Sequence, residues 1–350
     1  MSRTHKPRLH ADLAALLRSV ASRLQPPFGI ILGSPREAAE VAAALPPGEA
    51  TCWQLDLFQA ERLKEELSNR KRHAEIVTLP DLWDLPRPAR TLLFPVSLGG
   101  ERSLKIDMIE QAYHALTPEG HLIVLSPYEN DNVLPQSLKK VFDRVHVPPD
   151  TDNTLLWCRR EGDRPRRRHE VTFQVRVNES TSLRFVSRPG VFSYGRFDHG
   201  SRALLEAAEI NASDRVVDLG CGCGTNGILA AQRAGPDAFI ALVDSNVRAV
   251  ALAELNARNL GVANSQAIAS PNATGLPDDS FDVVLANPPY YAQLSIARMF
   301  MDRGKALLKP GGRIYLVTKM LEPVAEQMQE VFGEADVFEV RGYFIFQAVK

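Results

Sequence analysis

"RVVDLGCGCGTNGILAAQRA" (215–234) passes from an apolar run through a glycine cluster into a helix-forming segment. The run up to Leu219 reads as a buried strand, and "NGILAAQRA" carries the apolar face of a helix. Strand, glycine turn and helix in that order open a βαβ unit. Glycines at 220, 222 and 224 permit positive φ and let a ligand lie against the backbone at the carboxyl edge of a parallel sheet. The dinucleotide fingerprint is spaced G-x-G-x-x-G and lacks an aspartate two residues before its first glycine. Asp218 stands at that place, which suits a ligand with a cationic amino group and not a pyrophosphate.

Downstream, "FIALVD" (239–244) ends in Asp244. An acid closing the second strand can accept both hydroxyls of a ribose. "FDVVLANPPY" (281–290) is a strand stopped by two prolines, which remove backbone donors and fix φ. The rigid turn lets the Asn287 side-chain oxygen and the Pro288 carbonyl aim at one spot. Two acceptors there would bind an –NH2 group and draw its lone pair out of conjugation, while Tyr290 offers a flat face to the planar group that carries it. Such a site methylates an exocyclic or amide nitrogen by in-line attack on an activated methyl, relying on positioning and preset polar groups.

The same order of elements occurs twice. "FGIILG" (28–33), "CWQLD" (52–56), "RTLLFPVS" (90–97) and "GHLIVLS" (120–126) repeat the strands of the second half, with helical segments between. "ALTPEGHLIVLS" (115–126) mirrors "LLKPGGRIYLVT" (307–318), and Asp56 falls opposite Asp244. This is an internal duplication of an α/β domain. The first copy has Ile31, Gly33, Pro35 and Glu37 where the second has Asp218, Gly220, Gly222 and Gly224. It is expected to keep the fold and to lack the pocket. The charged run "CRREGDRPRRRHE" divides the halves, giving domains 1–157 and 171–350 and a basic linker at 158–170. Its arginines either meet RNA phosphates or form a solvated linker, and the sequence leaves both open.

At 350 residues two domains are the default. A formal net charge of −1, from 41 basic and 42 acidic residues, excludes a global basic field, so any nucleic-acid surface must be local. The four cysteines have no metal-ligand or disulfide framework spacing, and no metal is expected. With no apolar leader and no span of membrane length, a cytoplasmic protein without a membrane partner is expected.

Taken together, "DLGCGCG…VD…FDVVLANPPY…LLKPGGRIYLV" resembles the class I S-adenosylmethionine-dependent methyltransferases that modify exocyclic or amide nitrogen. "RPGVFSYGRFDHGSRALL" (188–205) is similar to the segment before the glycine loop in bacterial rRNA guanine-N2 methyltransferases, the small-subunit methyltransferase C type and its large-subunit relative. The resemblance implies two tandem Rossmann-like seven-stranded domains, the N-terminal one degenerate and serving RNA recognition or structural support. It also implies S-adenosylmethionine as cofactor and rRNA or a ribosomal subunit as partner, and it leaves the oligomeric state open. By that resemblance Asp218, Gly220 and Gly222 line the methionine and ribose part, Asp244 takes the ribose hydroxyls and Asn272 touches adenine. Phe192, Asp198 and Gly200 close over the methionine end, and Asn287, Pro288 and Tyr290 hold the guanine. The rRNA enzymes usually have His where this chain has Tyr291. Adenine-N6 and glutamine-N5 methyltransferases share the proline turn, and a non-catalytic RNA-binding or ribosome-assembly protein is the alternative from another class.

Overall fold

Strand and helix alternate through each half, and each half buries its strands between two helical layers. The computed structural model describes residues 13–97, 100–128, 133–149, 151, 154–176, 182–289 and 294–350. They fall into two units, Met1–His169 and Glu170–Lys350.

The first unit contains α1 (Leu13–Ser19), β1 (Phe28–Ile31), α2 (Pro35–Ala44), β2 (Ala50–Gln54), α3 (Leu57–Asn69), β3 (Glu75–Thr78) and β4 (Ala89–Pro95). It continues with α4 (Arg102–Ala115), β5 (Leu116–Leu125), α5 (Val133–Phe142) and β6 (Leu155–Arg159). The sheet order is β3-β2-β1-β4-β5-β6, parallel except for β6. One face, with Ile30 and Leu93, packs under α1, α2 and α3; the other, with Leu92 and Phe94, packs under α4 and α5.

The second unit begins with a hairpin, β7 (Val171–Arg176) and β8 (Ser182–Ser187), then α6 (His199–Ala207) and β9 (Arg215–Leu219). It goes on through α7 (Thr225–Ala234), β10 (Phe239–Asp244), α8 (Val247–Asn259), β11 (Ser265–Ala269), β12 (Phe281–Ala286) and α9 (Leu294–Leu307). It ends with β13 (Leu308–Thr318), α10 (Leu321–Phe332), β14 (Asp336–Val340) and β15 (Tyr343–Val349). Its sheet order is β11-β10-β9-β12-β13-β15-β14. Val216 faces a core shared with α6, α7 and α8, while its neighbour Val217 faces one shared with α9 and α10, the alternation a strand buried on both faces requires.

The six strands of the first sheet each have a counterpart in the second, down to an irregularity. Register slips between Ala89 and Thr91 in β4 against β5, and likewise between Phe281 and Val283 in β12 against β13. Each slip sits beside a glycine hemmed in by carbonyls. A Cβ on Gly120 would lie 2.9 Å from the Thr117 oxygen, and one on Gly312 would lie 3.0 Å from the Phe281 oxygen.

Seven strands occur in the second sheet only; the first has six among the described residues. Where the seventh would run, a single bridge joins His146 to Trp157, with both N–H···O bonds at 2.9 Å. Pro148 and Pro149 follow at once, and neither has the N–H that a ladder needs. The strand β6 takes in Cys158 and Arg159, which the composition had given to the linker.

The basic run that follows is strapped to the first unit. Arg164 donates to the Lys140 carbonyl at 2.9 Å and to that of Val141, at the carboxyl end of α5. Arg166 lies 5.4 Å from the Trp83 ring, and Arg168 pairs with the buried Asp81 at 3.2 Å. The carbonyls at a helix end carry partial negative charge, which favours a guanidinium there.

Because the space at Gly312 is walled by backbone, Gly312→Ala should lower stability by about 1–3 kcal/mol. Urea unfolding measures this, and an unchanged midpoint would show that the bulge relaxes freely.

Candidate active site

Parallel pairing of β9 with both β10 and β12 brings three strand ends to one edge, with Leu285 beside Asp218 and Ala286 beside Leu219. The loop after β9 and the turn after β12 therefore face each other across the crevice where the strand order reverses. A cleft there is lined by Phe192, Asp198, Gly220, Gly222 and Asn287, together with Ser201 and Asn226.

The glycine loop is held by side chains of the neighbouring elements. Gly220, Gly222 and Gly224 all have positive φ, at 72°, 55° and 87°. The Phe300 ring would stand 3.2 Å from a Cβ on Gly220, whereas a Cβ on Gly222 would meet nothing within 4 Å. The Gly222 N–H donates to Asp244 Oδ2 at 2.8 Å, and Asp244 Oδ1 accepts from the Asn246 N–H at 2.8 Å. From the other side, Asn256 of α8 donates to the Cys223 carbonyl at 2.9 Å and bonds both backbone groups of Val186.

Asp218 does not line the cleft. It is 1% exposed, and its Oδ2 accepts from the Gly227 N–H at 2.8 Å. The residue at the N-cap of α7 is Gly224, which has no side chain to cap with, so Asp218 supplies the missing acceptor from the strand. Burial holds its carboxyl up at about 7, against the pull of the Gly227 N–H and with a push from the Asp244 charge. Cys221 and Cys223 are buried free thiols, both pushed up by burial, Cys223 to about 12, so neither is poised as a thiolate. No group of three or more His, Cys, Asp or Glu that could hold a metal occurs among the described residues.

On the opposite wall Asp198 caps α6, its Oδ2 accepting from the Ser201 N–H at 2.8 Å. The same oxygen accepts from Asn287 Nδ2 at 3.2 Å. Asn287 Nδ2 also donates to Ser201 Oγ at 2.9 Å, and Asn226 Nδ2 reaches that hydroxyl at 3.4 Å. The amide nitrogen of Asn287 is thereby turned to α6, which fixes the direction of its oxygen. Asn226 keeps a buried Oδ1 without a partner at the cleft wall.

The remaining expected residues are placed differently. Phe192 stands 54% exposed at the rim, and Gly200 is buried within α6. Asn272 is exposed and turned on its own loop, accepting from the Thr274 N–H at 3.2 Å. Pro288 is buried, and Tyr290 lies outside the described residues. Ser201 and Asn226 were not singled out from the sequence. The Asp-x-x-Ser of a helix start at 198–201 is the one local signal that pointed to Ser201.

Residues 182–347 match the family model of the methyltransferase small domain. A 31% identical protein of Bacillus subtilis, YbxB, is matched over 90% of its own length by 51% of this chain. The small-subunit rRNA methyltransferase C of Chromohalobacter salexigens is 35% identical over 49% of this chain, which spans about half (53%) of that protein. The large-subunit rRNA methyltransferase G of Streptomyces avermitilis is 28% identical over 97% of this chain and 92% of its own. Among solved structures, the T. thermophilus 16S rRNA N2 G1207 methyltransferase (RsmC), in complex with AdoMet and guanosine, superposes over 96% of this chain and 92% of its own, with a TM-score of 0.74 at 18% identity. The chain belongs to the family of small-domain methyltransferases. Its relatives include two kinds of ribosomal RNA methyltransferase, the C type that acts on the small ribosomal RNA and the G type that acts on the large.

The Asp218 carboxyl gives a pH test. Its folded pKa lies above the ordinary 3.8, so the stability it contributes is full below about pH 4 and is lost as pH rises towards 7. Asp218→Asn is neutral throughout and escapes that loss. The melting temperature of wild type relative to the variant should therefore fall between pH 4.5 and 7.5, by up to about 4 kcal/mol in stability. A difference that stays constant with pH would mean an aspartate ionised throughout.

Proposed function

We propose that this chain transfers a methyl group from S-adenosylmethionine to the exocyclic N2 amine of a guanine in ribosomal RNA. The observation that carries the reading is the Asn287 amide at the end of β12, oriented by Asp198 and Ser201 and set against the glycine loop. The names of the C and G type relatives, and the guanosine and AdoMet in the T. thermophilus structure, support the same substrate and cofactor.

The residues present fit the cofactor. The cleft offers a loop where a Cβ at Gly222 would meet open space, and a buried acceptor, Asn226 Oδ1, that lacks a donor. Gly220 and Gly222 would hold the methionine part against backbone, and Asp244, which already orders the loop through the Gly222 N–H, would receive the ribose hydroxyls. Asp218 keeps the loop's shape through α7 and sets a negative charge behind it when ionised. Bound there, S-adenosylmethionine supplies an electrophilic methyl.

The nitrogen of a guanine amine is a poor nucleophile, because its lone pair is spread into the ring. Acceptors fixed at Asn287 Oδ1 and the Pro288 carbonyl favour the pyramidal, partly positive nitrogen that forms as the methyl arrives. That charge is met by dipoles already in place, so no reorganisation is needed at the moment of transfer. Asp198 and Ser201 act one step back. They hold the NH2 end of Asn287 and stop the amide from turning its donor towards the incoming amine. Methyl transfer releases one proton from the nitrogen to solvent.

Incubation of the full chain with labelled S-adenosylmethionine and ribosomal RNA or ribosomal particles, followed by nucleoside analysis, tests the reading. N2-methylguanosine is expected; N6-methyladenosine or labelled protein would overturn it. Asn287→Ala should cut turnover by about two to three orders of magnitude with cofactor affinity nearly unchanged. Ser201→Ala should cut it by about tenfold, and Asn287→Asp should retain part of the activity. Normal turnover in Asn287→Ala would mean that the proline turn has no part in the chemistry.

A further inference from the structure

The first unit has a cleft of its own, of about 400 Å3, at the amino edge of its parallel strands. Arg23 precedes β1, His121 sits where β5 resumes its pairing with β4 after the slip, and Trp157 and Arg159 lie in the middle and at the end of β6. Arg144 and His146 complete the wall. This is the edge away from the helix starts, so it owes nothing to the lost cofactor loop.

Its centre is a stack of flat groups. The His146 ring lies parallel to Trp157, centroids 4.0 Å apart and tilted by 10°, and the Arg23 guanidinium is 3.9 Å from the Trp157 ring centre. His146 is exposed. The surrounding charge is of one sign in excess. Arg159 is paired with Glu119 and Glu161, each at 2.8 Å, whereas Arg23 and Arg144 form no ion pair among the described residues. Burial and the Arg23, Arg159 and Arg90 charges push the His121 imidazole below its usual value, as a cationic cleft should.

An unpaired guanidinium beside stacked aromatic rings suits a ligand with both an anion and a π-face. Phosphate neutralises the cations, and a base extends the stack whatever its sequence. An acidic peptide would use the charges and leave the rings idle. We propose that the Arg23–Trp157–His146 cleft binds a nucleotide unit of single-stranded RNA, with the phosphate at Arg23 and Arg144 and the base on the His146 ring. This surface makes the degenerate copy the docking half of the protein, and it rests on the RNA substrate inferred above. It lies beside the bridge from His146 to Trp157, where the first sheet has no seventh strand among the described residues.

Fluorescence anisotropy with a labelled single-stranded RNA oligonucleotide and the full chain, at several salt concentrations, tests it. The Arg23→Ala/Arg144→Ala double variant should bind about tenfold more weakly or worse, with the slope of log K against log salt reduced by about 1–2. His146→Ala should weaken binding by about fivefold or more and keep the slope. Arg144 and His146 are exposed and Arg23 is half-buried, and an unchanged circular dichroism spectrum and unfolding midpoint check that the variants fold. Wild-type affinity and slope in the double variant would overturn the proposal. Competition by GMP as effective as that of RNA would also overturn it, by pointing to a free nucleotide, and equal competition by polyglutamate would reduce the cleft to a charge patch. In the methylation assay the double variant should raise KM for RNA and leave kcat intact. If wild type methylates rRNA and the double variant has the same KM, the cleft fails and the function stands. If wild type methylates no rRNA, the function fails independently of the anisotropy.

Discussion

Parallel pairing on both sides of β9 is the constraint on which the site depends. It sends the chain after β9 into α7 on one face and the chain after β12 towards α9 on the other. Two loops with no sequence relation are left facing one another at the carboxyl edge. What each loop needs then differs. The first must expose backbone, hence glycines braced by Asp218, Asp244 and Asn256. The second must present one amide in one orientation, hence prolines for stiffness and a carboxylate and hydroxyl to hold the NH2 end.

The duplicated first unit shows the same edge without those demands. Its helix α2 starts at Pro35, where the strand register sets the second unit's loop residue Cys223, two residues before α7 begins. Ser34 and Glu37 form a capping box, with Ser34 N–H donating to Glu37 Oε2 at 2.9 Å and Glu37 N–H to Ser34 Oγ at 3.3 Å. Helix backbone thus occupies the place of the open loop, and a Cβ on Gly33 would already meet Pro95 at 2.8 Å. Asp56 caps α3 by accepting from the Gln59 N–H, as Asn246 caps α8, and the strand registers set Gln54, not Asp56, against Asp244. The copy gained regular helix starts and gave up the crevice between them. A unit freed of cofactor binding keeps a sheet whose other edge is available, and the cationic stack around Trp157 lies there.

The strands, the glycine loop and the repeat were legible because each is a local pattern: apolar runs, glycines at fixed spacing, and one proline-glycine turn occurring twice. The acid ending β10 and the amide ending β12 were legible for the same reason. The partners of those groups were not. Ser201 and Asn287 lie 86 residues apart and meet only through the fold, and no periodicity links them. Asp218 illustrates a subtler gap. Its position at a strand end suggested contact with a ligand amine, yet its carboxylate is buried on a helix start, because Gly224 cannot cap α7 itself. The arginine run at 164–168 likewise read as open to either solvent or phosphate. Trp83, Asp81 and the end of α5, far away in sequence, take up much of it. That the first sheet has six strands among the described residues was written locally in Pro148-Pro149 and outweighed by the strength of the repeat.

Titration calorimetry of the full chain with S-adenosylmethionine most directly tests whether one braced loop, and not the fold common to both units, makes the pocket. One molecule should bind per chain, and Gly222→Leu, whose side chain would enter the cleft, should abolish the heat of binding. Two molecules per chain, or binding that survives Gly222→Leu, would contradict it.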